Sequence, residues 1–253
     1  MVSKPLSCLP MNSTSKTDVA HYSYQGKRIA RQSLADIRMS FENKAAWYDC
    51  FLRGVLPATD SGPVLDAPCG HGNFLYYLRT AGWRQVRGFD LDEDRVKVAQ
   101  ALGLPAACGD VFTILRQSES LALIASLDFF EHIDKDLVPE LVQECHRALR
   151  PGGVLLVRMP VTDSILGAYD LYNDYTHKWA GNSGMLRDLL LQEGFAQVIV
   201  KDERPVLYKP LNYPRLALFH LAKAATNTYL RVLGFPPMQI WSRSAWFIAT
   251  KAA

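Results

Sequence analysis

The sequence predicts an α/β fold built on a mostly parallel, twisted sheet, and three observations lead there. Short apolar strands alternate with amphipathic helices from residue 64 onward. The first strand runs straight into a Gly-rich turn that opens a helix, and the next two strands also end in acids. Parallel strands joined by helices of this length are right-handed βαβ units, which place both sheet faces under helices.

The elements follow in order. From Ile29 to Leu56 the residues Leu34, Ile37, Phe41, Ala45, Tyr48, Leu52 and Val55 recur at helical spacing, and the pattern stops near Pro57. Val64-Leu65-Asp66 is the first strand, followed by the turn Ala67-Pro68-Cys69-Gly70-His71-Gly72 and a helix from Asn73 to Ala81. Gln85 to Asp90 is a strand, Glu93 to Leu102 a helix, and Ala106 to Cys108 a brief strand ending at Gly109-Asp110. Leu121 to Ser126 has buried-strand character, and Leu137 to Leu149 is strongly amphipathic. Arg150-Pro151-Gly152-Gly153 reads as a break before the strand Val154 to Met159. Gly184 to Gln192 is a helix, Ala196 to Lys201 a strand, and Ala245 to Thr250 the last strand. Three regions result: a polar leader over 1–20, a helical cap over 21–60, and a main domain over 61–253 with a basic helical insertion at about 206–243.

Composition narrows the function classes. The 253 residues are 49% hydrophobic and 21% charged, which excludes disordered and collagen-like chains. The net charge of +3 is too mild for a nucleic-acid partner, but it is unevenly spread. No Asp or Glu occurs from Arg204 to Ala253, where Arg204, Lys209, Arg215, Lys223, Arg231, Arg243 and Lys251 are all basic. That end suits an anionic substrate carrier or contact with the inner face of a membrane. The five widely spaced cysteines form no CxxC pair, which predicts reduced thiols in a cytoplasmic protein. No stretch approaches the roughly 18 apolar residues of a membrane span.

The chemistry concentrates at the strand ends. Gly70 and Gly72 allow close backbone approach to a ligand, and the helix start at Asn73-Phe74 presents free N–H groups. Asp90, eighteen residues beyond Gly72, is placed to accept hydrogen bonds from both ribose hydroxyls, with initiation of the following helix as the alternative. Asp110 is placed for an adenine amino group. The dinucleotide pattern G-x-G-x-x-G is missing. Asp66 would repel a pyrophosphate but favours an amino-acid ammonium group, and this selects S-adenosylmethionine over a nicotinamide dinucleotide.

The strings DAPCGHG, GFDLDEDRV, GDVF, LDFFEHID and LRPGG resemble class I S-adenosylmethionine-dependent methyltransferases in order and spacing. The resemblance implies a Rossmann-like sheet of seven strands, the last antiparallel. It implies a methionine moiety near Asp66, Gly70 and Gly72, ribose on Asp90, adenine beside Asp110 and Val111, and further cofactor contacts at Pro68, Phe74, Leu91 and Ser126. Pro68 stands where the commoner pattern has Gly, and it removes one N–H from the turn. The segment YNDYTHKWAGNSGMLRDLLLQEGF resembles bacterial methyltransferases of cell-surface polysaccharides and sugars, and its Thr-His-x-Trp string is also found in ubiquinone-pathway enzymes.

The acceptor implied is therefore a sugar, glycan or small molecule, phosphate-bearing in one version. A hydroxyl acceptor must lose a proton, for which His132 and His177 are the candidate bases, with Asp174 three residues before His177 to orient it or to bind substrate. Glu131-His132 has the alternative of capping the next helix. Tyr169, Tyr172, Tyr175 and Trp179 are candidates to line an acceptor site. No spacing indicates a dedicated metal site, although isolated acids such as Asp128 and Asp174 are available to one. Two other functions fit the residues: methylation of an aromatic or quinone-like metabolite, and a cofactor-binding scaffold without chemistry of its own.

Overall fold

The computed structural model describes residues 33–164, 167–206 and 212–253. The expected leader and the first part of the helical cap lie outside them. Among the described residues the chain order is α1 (Leu34–Leu52), β1 (Val64–Asp66), α2 (Asn73–Thr80), β2 (Val86–Asp90), α3 (Glu93–Ala101), β3 (Ala106–Cys108), α4 (Val111–Arg116) and β4 (Leu121–Leu127). Then come α5 (Val138–Ala148), β5 (Leu149–Pro160), α6 (Gly167–Asn173), α7 (Ser183–Gln192), β6 (Phe195–Asp202), α8 (Asn212–Val232) and β7 (Ser244–Lys251).

One seven-stranded sheet results, in the order β3-β2-β1-β4-β5-β7-β6. The first five strands are parallel, with registers such as Val64↔Val86, Val64↔Leu123 and Leu123↔Val154. β7 inserts antiparallel between β5 and β6, pairing Leu156↔Ile248 and Ile199↔Ile248. The chain steps outward from β1 to β3 and then returns to β4 beside β1. Such a reversal opens a crevice at the carboxyl ends of the strands, and ligands bind there in open α/β sheets.

Burial explains the sequence pattern. β1 is buried throughout and β4 nearly so, as expected for strands covered on both faces. One core, containing Leu65, Ile124, Phe130, Leu141, Leu155 and Phe247, lies under α4, α5 and α7. The other, containing Ile37, Phe41, Leu52, Leu75, Leu123 and Trp246, lies under α1, α2 and α3. Ser33 starts α1 by accepting the Asp36 amide at 3.1 Å, and the helix buries Ile37, Phe41, Tyr48, Phe51 and Leu52. Each such side chain contributes about 1.5–3 kcal/mol by leaving water.

Three local expectations change. β5 begins at Leu149 rather than after the Pro-Gly-Gly break, because Leu149 already pairs with Leu121 across a bulge. Val111–Arg116 is a short helix, capped by Asp110, and Gly167–Asn173 is another. Among the described residues the structure gives free thiols at Cys50, Cys69 and Cys145. No helix among the described residues is long and apolar enough to cross a membrane.

Candidate functional site

A cavity of about 1040 Å³ opens at the carboxyl ends of the parallel strands, above the chain reversal. Its two ends are built differently, one by the turns after β1 to β3 and the other by residues after β4 and from the segment around 174–177.

At the first end, Asp66 finishes β1 and is 1% exposed, with Oδ2 lacking any hydrogen-bond partner. Burial, reinforced by the nearby Asp90 charge, raises its pKa well above the usual carboxylate range. The following peptide, Ala67–Pro68, is cis. Gly70 has φ +54°, and a Cβ built there would meet nothing within 4 Å. Gly72 differs: with φ +89°, its Cβ would lie 2.6 Å from Leu104 Cδ1 and 3.1 Å from Ala99 Cβ. It does not line the cavity, so its small size serves the packing of α2 on α3 rather than a ligand.

Asp90 is the pivot of this end. Its Oδ2 accepts the Gly70 amide at 2.8 Å and its Oδ1 the Asp92 amide at 2.9 Å. Helix initiation falls instead to Asp92, which accepts from the amides of Asp94 and Arg95. Asp90 is thereby fixed at the cavity wall with a lone pair on each oxygen still to satisfy, and burial raises its pKa. Asp110 caps α4 through Oδ1, which accepts the amide and hydroxyl of Thr113, both at 2.9 Å. Pro68, Phe74, Leu91 and Val111 line the same end, with Leu91 conspicuously exposed. Ser126 does not: it is buried within β4, its Oγ without a partner and away from the cavity lining.

These residues fit S-adenosylmethionine. Asp66 has a partnerless oxygen for a cationic amino group, Asp90 is oriented for a vicinal diol, and Asp110 Oδ2 is free of the cap to receive an exocyclic amine. Gly70 leaves room where a side chain would intrude.

At the second end, β4 gives way to Asp128, at φ +53°, and to one 3₁₀ turn, Phe130–His132. Glu131 is 1% exposed, and its Oε2 has no hydrogen-bond partner. Its pKa is raised well above normal by burial and by the Asp128 charge. It does not cap α5, which begins after Leu137 without a side-chain cap. The segment that carries His177 is pinned here by two bonds, Lys178 N–H to Glu131 O at 2.8 Å and Trp179 Nε1–H to Phe130 O at 2.9 Å.

The two histidines meet edge to face with ring centroids 4.8 Å apart. His132 Nδ1 lies 3.0 Å from Thr176 Oγ1, and that hydroxyl donates to Asp174 Oδ1 at 2.7 Å. The Asp174 carboxylate is thus tied through Thr176 to His132, and the His177 amide donates to the Asp174 carbonyl at 3.1 Å. Burial, helped by His177, lowers the His132 pKa to about 4 and keeps the ring neutral near pH 7.

The site holds more than the sequence suggested. Glu131, Tyr48 from α1, and Arg158 and Arg243 from β5 and the approach to β7 all line the cavity. Arg158 is held by Glu203, with Nε to Oε1 at 2.5 Å, and by Asp128. Tyr169, Tyr172 and Tyr175 are exposed and, like Trp179, do not line it.

Residues 64–153 match the family model described as a methyltransferase domain. Residues 64–153, about a third of the chain, are thus similar to methyltransferase domains. It is 29% identical over 134 residues to a probable S-adenosylmethionine-dependent methyltransferase of Mycolicibacterium smegmatis, a match that covers 52% of this chain. The chain spans about half the length of that curated relative, 51%. Among solved structures, an S-adenosylmethionine-dependent methyltransferase of Archaeoglobus fulgidus superposes with a TM-score of 0.61 at 18% identity, covering 91% of this chain and 100% of that one. A Haemonchus contortus phosphoethanolamine N-methyltransferase, solved with phosphomonomethylethanolamine and S-adenosylhomocysteine, gives 0.58 at 19% identity, covering 83% and 53%. These likenesses establish the fold.

Proposed function

We propose that this methyltransferase transfers its methyl group to a hydroxyl oxygen of a sugar or glycan, of the cell-surface polysaccharide kind. The observation that carries the reading is the neutral His132 beside His177, set in a polar wall opposite the donor end of the cavity. A hydroxyl is a poor nucleophile until its proton is removed, and a neutral imidazole does this near pH 7.

When bound, S-adenosylmethionine supplies a methyl group already activated on a sulfonium. The chain's task is to align the acceptor oxygen, exclude water and take the proton. The acceptor oxygen gains a bond to the methyl carbon as the carbon–sulfur bond breaks, and the hydroxyl proton passes to the histidine pair. Asp174 steadies His132 through Thr176. Asp128, Asn173, Lys178 and Arg243 offer hydrogen-bonding partners to the remaining hydroxyls, and Arg243 supports a phosphate-bearing acceptor. The test is methyl transfer from labelled donor to a panel of free sugars, nucleotide sugars and glycolipids, with phenols alongside. Turnover on the sugar set supports the reading; turnover confined to phenols overturns it in favour of an aromatic acceptor.

The reading keeps the chain in the cytoplasm, against the inner face of a membrane, and α8 supports this. No side chain of α8 is buried, and Leu218, Leu221, Tyr229 and Val232 are exposed. The polar side of the helix is the docked one: Lys223 Nζ lies 3.6 Å from Asp202, and Asn227 Oδ1 accepts the Met238 amide at 2.9 Å. An outward apolar face in an acid-free basic stretch suits an anionic interface. Vesicles containing phosphatidylglycerol should sediment the chain, those of phosphatidylcholine should not, and Leu218→Asp with Leu221→Asp should abolish the effect. Equal recovery with both lipids would refute it.

A further inference from the structure

We propose that Glu131, His132 and His177 form a binding site for one divalent transition-metal ion, with open coordination positions facing the acceptor; this rests on the reading of the cavity as a site of hydroxyl methylation. One ligand atom from each residue lies within 4.8 Å of the other two. Ligand bonds of about 2.0–2.2 Å place donors of one ion at most about 4.4 Å apart, so side-chain rotation of about an ångström closes the set.

The geometry favours a cation over a bare ion pair. His177 Nε2 and Glu131 Oε1 are 4.0 Å apart, too far for a hydrogen bond. Glu131 is 1% exposed, lines the cavity, and holds Oε2 without a hydrogen-bond partner. A buried carboxylate in that condition is costly unless a charge compensates it, and coordination is one of the two common ways.

The surrounding contacts are those a ligating histidine needs. His132 Nδ1 faces Thr176 Oγ1 at 3.0 Å, and the Thr176 hydroxyl is itself committed to Asp174 as donor. The ring proton therefore sits on Nδ1, and Nε2 carries the lone pair. Fixing the tautomer through the second nitrogen is the usual support of a metal-bound imidazole. The Lys178 backbone N–H and the Trp179 indole N–H hold the His177 segment against the Glu131 turn, so the three donors share one rigid frame.

Two imidazoles and one carboxylate suit zinc, manganese, cobalt or iron(II) rather than calcium or magnesium, which take all-oxygen sets. The ion would bind the acceptor hydroxyl and lower its pKa, so that its proton is lost to water. With the ion bound, the histidines would act as its ligands, in place of the proton-accepting role they have in the metal-free site.

The test uses the full chain, stripped with chelator and titrated with Co(II) followed by visible absorption, and with Zn(II) by calorimetry. S-adenosylhomocysteine affinity is measured in parallel as the control for folding. The expected result is one ion per chain, bound at least tenfold more weakly after Glu131→Gln and after His177→Asn, with S-adenosylhomocysteine affinity unchanged. If His132→Ala misfolds and loses both ligands, those two variants still decide the matter. Absence of stoichiometric binding, or binding that both variants leave intact, overturns the site. His177-dependent methylation of hydroxyls without metal binding removes the site and leaves the proposed function. Metal binding without methylation of any hydroxyl acceptor does the reverse.

Discussion

The two ends of the cavity solve opposite problems. At the β1–β3 end, buried carboxylates are held open by backbone: the amides of Gly70 and Asp92 fix Asp90, and Asp66 keeps an oxygen with no partner. At the β4–β5 end, side chains hold one another: Asp174, Thr176 and His132 form a chain, while His177 packs on His132 beside Glu131. The first arrangement waits for a ligand of fixed shape, which a backbone scaffold can match in advance. The second gathers groups able to accept a proton or a cation, and its residues come from segments far apart in sequence. On the proposed function, binding the donor and acting on the acceptor should therefore be separable by mutation.

The largest expected effect breaks the second end alone. His177→Ala should lower kcat by about 10²–10⁴, the usual contribution of positioned acid–base catalysis, and leave S-adenosylhomocysteine affinity within about twofold. Single-turnover methylation with calorimetry checks both halves of that statement. Equal losses in kcat and donor affinity would show that the two ends act as one.

A smaller effect sharpens the first end. Burial raises the pKa of Asp66 and Asp90, and a cationic ligand group beside Asp66 lowers it again. Donor binding should then release protons, and affinity should rise with pH while these groups are protonated in the free protein, by up to about tenfold per unit for one proton. Calorimetry in buffers of differing ionisation enthalpy reads the proton number directly. Proton uptake, or affinity that falls as pH rises, would contradict the assignment of Asp66 to the ammonium group.

The smallest effect is a near-zero one. Ser126 was expected at the donor, yet it is buried in β4 away from the cavity lining. Ser126→Ala should leave donor affinity within about twofold and stability within about 1 kcal/mol, because its hydroxyl makes no hydrogen bond to lose. Thermal unfolding with and without S-adenosylhomocysteine measures both.

The contrast between the two ends also explains what the sequence disclosed. The local structure of the β1–β3 end was legible because its parts are local: each acid follows its own strand, and Gly70 to Phe74 is one turn and one helix start. Asp90 and Asp92 show the limit, since either could cap the helix and hydrogen-bond geometry alone assigns the cap to Asp92. Gly72 was legible as a required glycine but not for the right reason, because its neighbours Ala99 and Leu104 are tertiary contacts. At the other end, His132 and His177 were visible as residue types, but their pairing depends on the backbone bond from Lys178 to Glu131 and on the Thr176 bridge. Glu131 looked like a helix cap because local sequence offered it one. The tyrosines of residues 169–175 suggested a lining by composition, and the fold turns them outward.

The central claim is that Asp90 anchors the donor while the histidine pair takes no part in holding it. Calorimetric titration of S-adenosylhomocysteine into the native chain, Asp90→Ala and His177→Ala tests this most directly. The account predicts affinity reduced by about 10²-fold or more in Asp90→Ala, from two lost hydrogen bonds of about 1.5–3 kcal/mol each, with native affinity in His177→Ala. Unchanged binding in Asp90→Ala, or loss in both variants, would contradict it.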